Sequence, residues 1–185
     1  MSDKLKKLQI KKLIQEYNFI QSDFDFKNQV IEDNKQEFIN KVLEVEKELN
    51  IKKELPINTG NTKNGITSNI QGVSENAKNK IKKIYREIVK LTHPDKVESN
   101  KFIGLYQKST KCSEDNDLLC LYLISIELNI DFEFDSEDIE FLERIVNLKR
   151  KENSVLETSC VWAWVNSTNE ETKNRLLKFY VINNK

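Results

Sequence analysis

Proline and glycine are scarce in this 185-residue chain, at two and four residues. With abundant Lys, Glu, Ile and Leu around so few breakers, the composition favours long helices over a compact β fold. Histidine occurs once, and the three cysteines (Cys112, Cys120, Cys160) show no CxxC spacing. A usual zinc site cannot be assembled from that set, so no metal is expected. An odd cysteine count without a framework points to a reducing compartment, with Cys112 and Cys120 filling helix cores. No run approaches 18 apolar residues, and the lysine-rich N-terminus has no apolar segment behind it. Neither a membrane span nor a signal peptide is expected, and a cytoplasmic location follows. Thirty basic residues balance thirty acidic ones, so no global field recruits nucleic acid or a membrane.

That balance hides a local asymmetry. Residues 78–111 hold ten Lys or Arg against three acids, whereas residues 112–143 hold eleven acids and no Lys or Arg. Two readings fit: solvated helix faces that partly neutralise one another, or a basic block that docks on an acidic partner.

Apolar spacing marks the helices. Leu5, Leu8, Leu13, Ile14, Tyr17 and Ile20 define the first, and Ser22 or Asp23 can cap a second. Phe24, Ile31, Phe38 and Val45 then recur every seven residues, with Asn28 and Lys35 at the other seam positions. This imperfect heptad predicts an antiparallel hairpin over residues 1–54, able to self-associate. Pro56, Gly60, Gly65 and Gly72, set among Asn, Thr and Ser, predict a flexible linker over 55–75. Ile81, Ile84, Tyr85 and Ile88 share one face of the next helix, while Lys82, Arg86 and Lys90 form a basic stripe on another. That helix must stop near Thr92, ahead of Pro94.

A further helix starts near Ser99 or Asn100. Ser113-Glu114-Asp115-Asn116-Asp117 supplies a break and a new N-cap, and an amphipathic helix with Leu118, Leu119, Tyr122, Leu123 and Ile126 follows. Asp135 and Ser136 cap a long helix that leads to Trp162 and Trp164, most simply core anchors of a second hairpin over 133–185. Ser167, Thr168 and Asn169 turn the chain into a last helix.

The candidate functional residues gather at the end of the basic helix. Ile81-Lys82-Lys83, Tyr85-Arg86, six further residues and then His93-Pro94-Asp95-Lys96 form one continuous pattern. The His-Pro-Asp tripeptide alone would arise by chance in roughly one chain in a hundred of this length. The aligned helix before it, and Lys101-Phe102 after it, make the pattern specific. Pro94 fixes the turn, His93 can hydrogen-bond to hold it, and Asp95 presents a carboxylate. No Cys or Ser nucleophile accompanies His93 and no glycine-rich phosphate loop exists, so neither an enzyme nor a cofactor is expected.

These residues resemble helix II and the loop of J-domain co-chaperones, over residues 70–112. With no Gly/Phe-rich region and no CxxC module, the chain looks like the J-domain-only type and is similar to J-domain-like proteins of giant DNA viruses, which would place it in the host cytoplasm. The resemblance implies an all-α fold with a J-domain-like antiparallel core at 76–132. It implies that a DnaK-type 70 kDa heat-shock chaperone binds the chain and has its ATPase stimulated. His93, Pro94, Asp95 and Lys96 would make the contact, with Lys82, Lys83, Tyr85, Arg86 and Lys90 along the helix. In the family the aspartate pairs with an arginine of the chaperone. The alternative expectation is a helical scaffold carrying a degenerate J-domain.

Overall fold

The computed structural model describes residues 2–50, 75–96, 100–130 and 132–183, so most of the expected linker lies outside the described residues. The fold is all-α. Among the described residues there are seven helices and no strand: α1 (Asp3–Glu48), α2 (Glu75–Thr92), α3 (Asn100–Glu114), α4 (Leu118–Glu127), α5 (Ser136–Glu157), α6 (Cys160–Val165) and α7 (Glu170–Asn183). With glycine scarce, asparagine takes over at helix ends. Asn50, Asn116 and Asn129 adopt φ of 52°, 55° and 53° just beyond α1, α3 and α4, the left-handed region that asparagine tolerates better than most residues.

The expected N-terminal hairpin does not form, because α1 is one helix of 46 residues. Its candidate caps bond elsewhere. Ser22 Oγ donates back to the Asn18 carbonyl at 2.9 Å, and the Asp23 carboxylate accepts from Lys27 at 2.7 Å and from Asn153 at 2.6 Å. Neither caps a new helix, and no proline or glycine lies in residues 1–50 to break the ladder.

The chain divides into two compact units that cut across the segments expected from sequence. The first lies within Met1–Ile14 and Gly60–Leu142, and the second within Gln15–Thr59 and Glu143–Lys185.

In the first unit α2, α3 and α4 pack pairwise. Ile81, Ile84 and Ile88 turn one face of α2 inward, and Ile10, Leu13 and Ile14 of α1 are also buried. The helix α4, expected to be amphipathic, is buried nearly all round, from Leu119 to Tyr122 and at Ile124 and Ser125. It is the central element, as an apolar helix of this kind must be. Its N-cap is Asp117, which accepts from the Cys120 amide at 2.9 Å.

Cys112 and Cys120 are buried, as expected, but they are also joined in a disulfide with Cα atoms 6.0 Å apart. The turn between α3 and α4 brings them to bonding range. The expectation of unpaired cysteines in a reducing compartment rested on the odd count and the lack of CxxC spacing, and this pairing departs from it.

The second unit closes around Phe38, Val42 and Val45 of α1, Trp164 of α6, and Leu177 and Val181 of α7. Phe38 meets Trp164 and Tyr180 edge-on, at 5.7 and 5.2 Å between ring centres. The heptad residues Phe38 and Val45 therefore face a core, as their spacing suggested. Trp164 is a core anchor. Trp162 is only half-buried, with the Lys27 ammonium 5.9 Å from its ring centre. The long C-terminal helix stops at Glu157, short of the tryptophans, because Ser159 caps α6 by accepting from the Trp162 amide. The α1–α5 seam of this unit is polar: Lys27 also bonds Glu157 at 2.5 Å, Arg150 pairs with Glu16, and Lys149 lies 3.8 Å from the centre of the Phe24 ring.

Candidate functional site

The turn after α2 is built from its own sequence. Thr92, fully buried, donates its hydroxyl to the Ile88 carbonyl at 2.9 Å, and the His93 amide makes the last helical bond to Val89. The Lys96 amide then donates to the His93 carbonyl at 2.9 Å. That bond closes a four-residue turn with Pro94 second and Asp95 third, positions that suit a fixed φ and a short polar side chain.

His93 orients the tip twice over. Its Nδ1 accepts from the Asp95 amide at 3.2 Å, so the neutral ring carries its proton on Nε2. Its ring also stands edge-on to Tyr106 of α3, with centres 5.4 Å apart. The Asp95 side chain, 85% exposed, projects from this support. Its carboxylate lies 3.6 Å from Nδ1. With Nδ1 acting as an acceptor, that approach is no ion pair. Pro94 and Lys96 are exposed beside it.

Tyr85 has a different place. It is half-buried, and its hydroxyl meets Thr110 Oγ1 at 3.2 Å. Thr110 already donates to the Tyr106 carbonyl at 3.0 Å, so the phenol is the donor to Thr110. Tyr85 is thus a strut between α2 and α3. The two contacts Tyr85–Thr110 and His93–Tyr106 also set the helices antiparallel, since the later residue of α2 meets the earlier one of α3. Tyr106 and Thr110 were not singled out from sequence. Their only signal is a spacing of four on a helix expected to return along α2.

The basic residues divide into two groups. Lys82, Lys83 and Arg86 are exposed and make no ion pair among the described residues. Lys90 is held by Glu87 one turn back, at 2.6 Å. Lys101 bonds Glu127 at 3.0 Å. Lys80 reaches across to α5, meeting Asp138 at 2.6 Å and Asp135 at 2.7 Å. Part of the basic block is therefore neutralised by the acidic block, whereas Lys82, Lys83 and Arg86 of α2 are not.

The Lys80 anchor is elaborate. Asp138, 3% exposed, also accepts from the buried Tyr122 hydroxyl at 2.6 Å. Asp135 and Asp138 accept from one another's backbone amides at 3.0 and 2.9 Å, a reciprocal cap at the start of α5. Burial pulls the Lys80 ammonium down, but its bonds to Asp135 and Asp138 outweigh this and hold it above its ordinary value. Burial likewise pushes Asp135 up, and Lys80 with the Asp138 amide brings it below the usual carboxylate range. Burial, then the bond to Asp138, drives the Tyr122 phenol far above its ordinary range.

Chemically the tip offers one exposed carboxylate, an imidazole whose Nδ1 accepts from the Asp95 amide, and a row of cations. No group of three or more His, Cys, Asp or Glu among the described residues is placed to hold a metal, and no described helix is long and apolar enough to cross a membrane. No family model, curated protein or solved structure matches the chain.

Proposed function

We propose that this chain is a J-domain-type co-chaperone that engages a DnaK-type 70 kDa chaperone through His93, Pro94 and Asp95 and stimulates its ATPase. The observation that carries the reading is the supported tip: Asp95 stands in solvent while His93, seated on Tyr106, fixes the turn beneath it. Preorganisation of this kind lowers the ordering cost of binding. A carboxylate presented so is suited to a bidentate bond with an arginine of the partner. Lys82, Lys83 and Arg86 supply the field that steers an acidic surface toward the tip.

A scaffold role with a degenerate J-domain is the second reading. It is favoured by Glu87, which neutralises Lys90 in the middle of the basic stripe. Binding of fluorescently labelled protein to the ATP-loaded chaperone separates the two. The co-chaperone reading expects Asp95→Asn and His93→Gln each to weaken binding by roughly 10- to 100-fold, the range set by one charge-assisted bond. The scaffold reading expects partners to be retained by both variants.

A further inference from the structure

The helix α3 carries both supports of the tip and is itself lightly held. Tyr106 stands under the His93 ring, and Thr110 takes the Tyr85 hydroxyl. The buried residues of α3 are Leu105, Ser109 and Cys112, one large aliphatic side chain and two small ones, with Phe102 and Ile103 half-buried. The Ser109 hydroxyl bonds the Tyr106 carbonyl of its own helix at 2.8 Å and so ties α3 to nothing else. Gly104 is exposed within the helix, with nothing within 4 Å of where a Cβ would stand. A glycine there lowers helix stability and gains no close packing in return. By contrast α2 buries Ile81, Ile84 and Ile88.

The firmest attachment of α3 is covalent, the disulfide from Cys112 to Cys120 of α4. The turn between the two cysteines nevertheless closes by backbone bonds alone. Asn116 takes the left-handed conformation, its amide donates to the Ser113 carbonyl at 3.3 Å, and the Asp117 amide donates to the Cys112 carbonyl at 2.8 Å. This is the Schellman closure of a helix end. The Asp117 carboxylate then accepts from the Cys120 amide at 2.9 Å. One residue thus bonds the backbone of both cysteines and keeps them close whether or not their sulfurs are joined.

We propose that the Cys112–Cys120 pair is a reversible redox latch on α3 that sets how firmly the tip is supported. The oxidant is a small-molecule disulfide such as oxidised glutathione. The thiolate of one cysteine attacks a sulfur of that disulfide, forming a mixed disulfide and releasing one small thiolate. The thiolate of the other cysteine attacks the protein sulfur of the mixed disulfide, forms the Cys112–Cys120 bond and releases the second. Two electrons pass to the small molecule, and the two protons given up by the cysteines end on the released thiols. An excess of small-molecule thiol runs the exchange backwards. Both cysteines are 8% exposed, so exchange proceeds through local opening of α3, which its thin anchorage permits. The regulatory meaning of the latch rests on the co-chaperone reading, while the latch itself is tested without any chaperone.

Amide hydrogen exchange, followed by NMR on the oxidised and reduced full chain, is that test. Thiol titration is expected to count one free group in the oxidised protein, Cys160, and three in the reduced one. Reduction is expected to leave the helix content by circular dichroism unchanged. It is expected to speed exchange of the α3 amides, and of the Asp95 and Lys96 amides, by roughly 10-fold or more, with α4 affected far less. Oxidised glutathione added without denaturant is expected to restore slow exchange. Cys112→Ser is expected to match the reduced wild type under both conditions. Equal exchange in the two states overturns the proposal, and so does acceleration that spares Asp95 and Lys96. Loss of helix content on reduction overturns it too, because the bond is then a requirement of the fold. Three free thiols persisting in oxidised glutathione would do the same.

Discussion

Asp95 and His93 divide the work of one turn: the first is offered to solvent and the second is spent on holding it there. This much was legible in the sequence, because a proline after a helix and a short acid behind it specify a turn from local chemistry alone. The role of Tyr85 was not. Its spacing put it on the apolar face, the motif suggested a contact residue, and only the position of Thr110 on the returning helix decides between them. Glu87 is the residue whose effect is now sharpest. Its carboxylate holds Lys90 at 2.6 Å, removing one cation from the stripe that Lys82, Lys83 and Arg86 continue. Glu87→Gln is expected to speed association with the chaperone several-fold at low salt, and the gain is expected to vanish at high salt, as screening requires. Stopped-flow association rates at two ionic strengths check it. An unchanged rate at low salt would show that the stripe does not steer.

Among the elements, the anchor between α2 and α5 governs how firmly the first unit holds. Lys80 was counted from sequence as one more cation in a basic block, since nothing local distinguishes it from Lys78 or Lys82. The structure spends it on Asp138, which would otherwise be buried with Tyr122 as its remaining side-chain partner. Lys80→Met is expected to cost about 2 kcal/mol at neutral pH, the scale of a lost hydrogen bond to a charged group. Because Asp135 is held below its ordinary value, its contribution is present above about pH 4 and is lost as pH falls through the lowered value. Lys80 is held above its ordinary value, so its share is present below about pH 10 and is lost as pH rises through the raised one. Denaturant midpoints across pH are thus expected to be flat near neutrality and to fall at both extremes, with a weaker acid limb in Lys80→Met. Equal midpoints for the two proteins at neutral pH would remove the anchor from the account. The continuous α1 shows the same limit of local reasoning: Ser22 and Asp23 are sound caps, but their bonds to Asn18, Lys27 and Asn153 are made by the folded molecule.

Taken whole, the chain folds as two units drawn from discontinuous stretches. Reading along the sequence favoured contiguous segments, because helical periodicity reports which face is buried and not what buries it. The all-α class, the helix starts at α3, α4, α5 and α7, and the heptad face of α1 followed from that periodicity. The grouping of α1 and α5 residues into different units depends on contacts distant in sequence and did not. What the fold does for the proposed function is to set α2 and α3 antiparallel and to hold their connecting turn on Tyr106. Single-turnover hydrolysis of ATP by a DnaK-type chaperone, with and without this protein, tests that role most directly. The account predicts acceleration by wild type that is lost with Asp95→Asn, while the variant keeps the wild-type helix content. No acceleration by wild type, or equal acceleration by Asp95→Asn, would contradict it.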